Sequence, residues 1–85
     1  MKRTVVWVRL AEQELARLWT EAGNKQEITS AANRIDRVLR TDPESVGEPL
    51  KDGARLLTIP PLTVDFSVLP LDNMVRVNGV MLSQG

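Results

Sequence analysis

Residues 56–70 read LLTIPPLTVDFSVLP, and the alternation of Leu62, Val64, Phe66 and Val68 with Thr63, Asp65 and Ser67 narrows the fold more than any other feature. Successive side chains of a strand point to opposite sides, so one side of this strand belongs to a core and the other faces outward. Pro60-Pro61 interrupts the apolar run and predicts a turn back onto a strand near 54–60. A third strand is expected at 74–82, after a turn around Asp72-Asn73. With both turns tight, Leu57 and Ile59 share a face with Leu62, Val64, Phe66, Val75 and Val77. Leu56, Thr58, Thr63, Asp65, Ser67, Arg76 and Asn78 then line the opposite face. Gly79 predicts a bulge or bend, beyond which Val80, Met81 and Leu82 no longer alternate.

Upstream, TVVWVRL at 4–10 is rich in β-branched and aromatic residues and predicts a first strand. Leu15, Leu18, Trp19 and Ala22 recur at helical spacing, and Gly23 can end that helix. Asn24 with Glu27 three residues on resembles a capping box, so a second helix starts there. It carries Ile28, Ala31, Ala32, Ile35, Val38 and Leu39 on one stripe and stops at Asp42-Pro43, because the residue before proline is driven out of the α region. The segment DPESVGEPLKDG reads as a loop. The order β-α-α-β-β-β makes residues 1–85 one α+β domain, a helical hairpin packed on one face of a small twisted antiparallel sheet.

The chain has no cysteine and no histidine, which removes disulfides, thiolate nucleophiles, imidazole bases and the commonest zinc ligands. Its acidic residues show no metal-loop spacing, so neither a metal nor a cofactor is expected. Eleven basic and eleven acidic residues balance to zero, and no overall field steers the protein to nucleic acid or lipid. The apolar run after the charged start spans only Val5 to Val8, too short for a signal peptide or a membrane span, which predicts a cytoplasmic protein. A chain of 85 residues buries only about 60–65% of its unfolded surface, so a homodimer or a bound partner is expected to add stability.

Charged and aromatic residues outside the alternating strand read mostly as surface. Arg34, Arg37 and Arg40 make a stripe better explained as a solvated helix face, with Asp36 pairing Arg40, than as a phosphate site. Lys51, Asp52 and Arg55 beside Gly53 read as a charged loop end. Asp65 and Arg76 lie on the same outer face of neighbouring strands and predict a cross-strand ion pair or two solvated side chains. Trp7 and Trp19 are expected as core or partner-facing anchors.

A first strand, a helical hairpin ending in RIDRVLRTDP, a Gly/Pro loop and then ARLLTIPPLTVDFSVLPLDNMVRVNGVML together resemble the RelE/ParE toxin superfamily of bacterial toxin–antitoxin systems. The resemblance spans nearly the whole chain, and RLLTIPPLTVDFSV is its most characteristic piece. It implies a small α+β fold, a role in toxin–antitoxin or plasmid-stabilisation systems, and an antitoxin partner that wraps the toxin. It also implies one of two activities, mRNA cleavage on the ribosome or inhibition of DNA gyrase. The cleaving members carry Lys and Arg on the outer sheet face, and a Tyr or His after the last strand. Here the corresponding face positions are Leu56, Thr58 and Thr63, the sequence ends at Gly85, and Phe66 stands where many members have Tyr. Attack by a ribose 2′-hydroxyl requires a base, charge stabilisation and a leaving-group acid. With Arg76 the central charge on that face, action by protein binding is the expectation, with Leu56, Thr58, Thr63, Asp65, Ser67, Arg76 and Asn78 as the partner-binding residues; a ribosome-dependent mRNA endoribonuclease with atypical residues and a non-toxic interaction or assembly module that kept the fold are the alternatives.

Overall fold

The computed structural model describes residues 3–83; Lys2 of the charged start and the terminal Gly85 lie outside the described residues. Its elements are β1 (Thr4–Trp7), α1 (Arg9–Glu21), α2 (Lys25–Thr41), β2 (Glu48–Pro49), β3 (Arg55–Ile59), β4 (Leu62–Leu69) and β5 (Met74–Leu82). A short 3-10 turn, Pro70–Asp72, leads into β5 through Asn73 in the left-handed region at φ 50°. The strands form one sheet in the order β1-β5-β4-β3-β2. β4 is central, and on the side that the alternation assigns to the core Leu62, Val64 and Phe66 are fully buried.

The helices cover that inner side. α1 lies against β5, while α2 reaches β1, β3 and β4. Ile28, Ala31, Ile35 and Leu39 form the buried stripe of α2, against Ile59, Leu62, Val64, Phe66, Val75, Val77 and Val80 from the sheet. Asn24 caps α2 as the sequence predicts, its Oδ1 accepting from the Glu27 backbone N–H at 3.2 Å. On α1 the stripe is rotated from its expected position. Ala11 and Leu18 are buried, Leu15 and Ala22 flank them, and Trp19 is 43% exposed. On the exposed side of α1, Arg17 bonds Glu14 and Glu21, and its hydrogen bond holds the Glu14 carboxyl below its usual pKa.

The α+β class and the element order match the sequence reading, and three details differ. The sheet is mixed rather than antiparallel, because β1 pairs parallel with β5 through Val5↔Val75 and Trp7↔Val77. Parallel neighbours need a crossover, and the helical hairpin followed by the meander supplies it. The first strand ends at Trp7 instead of residue 10, since the chain turns at Val8, whose carbonyl accepts from the Glu12 N–H at 3.0 Å, and Leu10 is left 75% exposed. The loop after α2 contains a two-residue edge strand, Glu48 opposite Leu56 and Pro49 opposite Arg55. Proline is tolerated there because its missing N–H falls on a sheet edge.

Truncating Ile35, which is fully buried on α2, is expected to cost about 2–5 kcal/mol as Ile35→Ala. Asn24→Ala removes only the helix cap and costs about 1 kcal/mol. Urea unfolding of both variants checks the ranking.

Candidate binding face of the sheet

The meander brings all seven outer positions to one side. Thr58 stands opposite Thr63, Leu56 opposite Asp65, and Ser67 opposite Arg76. The register adds residues that the sequence reading omitted, among them Val6, Met81 and Glu48. Val6 lies opposite Arg76, Met81 opposite Thr63, and Glu48 opposite Leu56. Val6 belongs to β1 and Glu48 to β2, strands whose neighbours no local pattern reveals. Met81 was placed beyond the alternation and returns to the outer side, 57% exposed.

The polar groups of this face largely bond one another. Thr58 Oγ1 and Thr63 Oγ1 lie 2.9 Å apart, and Thr63 is only 7% exposed. Arg76 Nε donates to Asn78 Oδ1 at 2.9 Å, and Asn78 Nδ2 donates to Ser67 Oγ at 3.0 Å. The sequence offered a cross-strand ion pair or two solvated side chains for Asp65 and Arg76, and no such ion pair forms among the described residues. The reason is the bulge. Asp65 pairs with Gly79 and Phe66 with Val77, so Asn78 is an extra residue between them and takes the Arg76 guanidinium for itself. A Cβ at Gly79 would come within 2.6 Å of Asp65 Oδ1, so the absent side chain is what lets the carboxylate lie across β5.

The remaining candidates settle on the surface. Arg40 pairs with Asp36 at 2.6 Å, while Arg34 and Arg37 are exposed on the same helix. Asp52 accepts from the Ala54 N–H at 3.2 Å, and Arg55 donates to the carbonyls of Val46 at 2.8 Å and Gly47 at 3.2 Å, which ties the loop to β3. Between α1 and α2 runs a groove of about 710 Å³ lined by Trp7, Leu15, Trp19, Ile28 and Ala32, with Lys25 Nζ 5.1 Å from the Trp19 ring centroid. Among the described residues no helix is long and apolar enough to cross a membrane, and no three acidic side chains gather as a metal site would require.

Hydroxyls, an amide, one guanidinium and two separated carboxylates beside apolar side chains suit contact with a polypeptide, through hydrogen bonds and apolar area.

No protein-family model matches the sequence, and no curated protein matches it significantly. Solved structures do share its fold. A chain of the toxin–antitoxin complex RelBE2 from Mycobacterium tuberculosis superimposes with a TM-score of 0.82 at 16% identity, over 98% of this chain and 93% of that one. The chromosomal ParDE system from P. aeruginosa gives 0.77 at 15% identity, covering 98% of both chains. The isolated E. coli RelE toxin gives 0.67 at 13% identity, covering 98% of this chain and 86% of the toxin. The chain therefore has the RelE/ParE toxin fold.

If the Asp65 carboxylate lies over Gly79, Gly79→Ala is expected to cost more stability in the parent than in an Asp65→Ala background. The double-mutant cycle should give a coupling of about 0.5 kcal/mol or more. Equal costs in urea unfolding would place the carboxylate elsewhere.

Proposed function

We propose that this chain, which carries the fold of the RelE and ParE toxins, is the toxin-type member of a bacterial toxin–antitoxin pair that acts by binding protein, and that a cognate antitoxin neutralises it. The observation that carries this reading is the Thr58–Thr63 hydroxyl pair, which stands where the resemblance to cleaving members leads one to expect basic side chains. Two uncharged hydroxyls bonded to each other neither stabilise a phosphorane nor abstract a proton. Arg76, held by Asn78, is the one cation among the described residues of the face that could take the charge-stabilising role. The antitoxin partner is supported by two of the structural neighbours, RelBE2 from Mycobacterium tuberculosis and RelBE from E. coli, which were solved as toxin–antitoxin complexes.

The partner is placed on the outer face, across Leu56, Thr58, Thr63, Asp65, Ser67, Arg76 and Asn78. A second surface is favoured by one specific observation: Trp19 is 43% exposed on the rim of the apolar groove between the helices. Half-exposed indoles are characteristic of interface anchors. Both surfaces fit one partner long enough to wrap from the sheet to the helices. The cellular target of such a toxin would be DNA gyrase or another protein, and the setting the bacterial cytoplasm.

Expression of the chain alone in a bacterial host is expected to arrest growth, and co-expression of the adjacent reading frame to restore it with co-purification of the two products. Unimpaired growth with no co-purifying product would refute the pairing. With programmed ribosomes the purified chain is expected to leave mRNA intact. Codon-specific cuts that disappear in Arg76→Ala would instead establish the ribonuclease activity.

A further inference from the structure

Two carboxylates on the outer side of the sheet, Asp65 and Glu48, have neither a hydrogen bond nor an ion pair among the described residues. They lie in one row across the strands: Glu48 pairs with Leu56, Leu56 with Asp65, and Asp65 with Gly79. Asp65 is half-buried, and the bulge that inserts Asn78 denies it the cation it would otherwise meet, Arg76. A carboxylate partly withdrawn from water and left without a donor gains more from an incoming guanidinium or ammonium than a fully solvated one does.

The spacing of the row selects the shape of the donor. Neighbouring strands are about 4.8 Å apart, so the backbone positions of Glu48 and Asp65 are separated by about 10 Å with Leu56 midway, and a long basic side chain spans the further reach to the Asp65 carboxylate over Gly79. A helix lying across the strands rises about 1.5 Å per residue. Its residues i and i+7 are then about 10.5 Å apart on one side, and i+3 or i+4 falls between them. A strand lying across the row matches less well, because its same-side residues repeat at about 6.7 Å.

We infer that the outer face takes an amphipathic helical segment of its protein partner, with basic residues at i and i+7 meeting Asp65 and Glu48 and an apolar residue between them on Leu56. The inference rests on the outer face being the partner-binding surface proposed above. It gives that surface a charge preference opposite to that of a face built to hold a polynucleotide, whose phosphates Asp65 and Glu48 repel. Met81, exposed beside Thr63, extends the apolar contact along β5.

The test uses the full chain and two fluorescent alanine-based helical peptides, one with arginines at i and i+7 and leucine at i+4, the other with glutamates in place of the arginines. Anisotropy titration is expected to show the arginine peptide bound about ten-fold or more tightly than the glutamate peptide. Asp65→Asn should reduce that difference, as should Glu48→Gln, which sits on the exposed edge strand and serves if the first variant fails to fold. Equal affinity for the two peptides, or an unchanged preference in both folded variants, would overturn the inference. Pull-down of the adjacent gene product separates this failure from that of the underlying reading. Loss of binding with Thr58→Arg but not with Asp65→Asn or Glu48→Gln would keep the face as the binding surface and discard the basic helix. Binding unaffected by all three would discard both.

Discussion

The complete burial of one side of β4 is the constraint on which the remaining geometry depends. Leu62, Val64 and Phe66 have no exposed surface, and the helical hairpin that covers them rests on the same strip of sheet as Val75 and Val77. A slip of one residue in β4 would drive Thr63, Asp65 and Ser67 into the core, at the cost of desolvating a carboxylate and two hydroxyls without partners. The register is therefore fixed by the inner side. What the outer side displays is a consequence, set residue by residue by whatever alternates with the core.

The bulge at Asn78 breaks that alternation, and it decides the electrostatics of the face. Without the extra residue, Asp65 and Arg76 would be diagonal neighbours within reach of each other. With it, Arg76 is bound to Asn78, Asn78 to Ser67, and Asp65 lies across Gly79. One inserted amide thus converts a self-neutralising pair into a tethered cation and an uncompensated anion. A regular ladder would have set the two charges against each other and left the carboxylate compensated.

Much of the architecture was legible because it is written in short-range patterns. The period of two in β4, the helical period of Ile28, Ala31, Ile35 and Leu39, the Asn24 cap and the Pro60-Pro61 turn each act within a few residues. Two strand features resisted for a physical reason. The parallel pairing of β1 with β5 joins residues some seventy positions apart and leaves no local trace. β2 is hidden because its pairing is made by the backbone of Glu48 and Pro49, types that propensity assigns to loops. On the face itself, Gly79 flagged the bulge, but the choice of Asn78 as the partner of Arg76 depends on which residue is extruded. The burial of Thr63 likewise follows from its bond to Thr58 across the hairpin, which an outward-pointing residue in a sequence does not announce.

A sheet face of bonded hydroxyls and unpaired carboxylates, on a fold shared with a chain of the RelBE2 toxin–antitoxin complex and with the ParDE toxin–antitoxin system, makes protein binding at that face the central claim. Methyl NMR of the labelled chain, titrated with the adjacent gene product, reads the two sides of the sheet separately. The account predicts that the methyl signals of Val6, Leu56, Thr58, Thr63 and Met81 move on binding while those of the core residues Val64 and Val75 stay. Shifts confined to Leu15, Ile28 and Ala32, with the outer methyls unmoved, would contradict it and assign the partner to the groove between the helices.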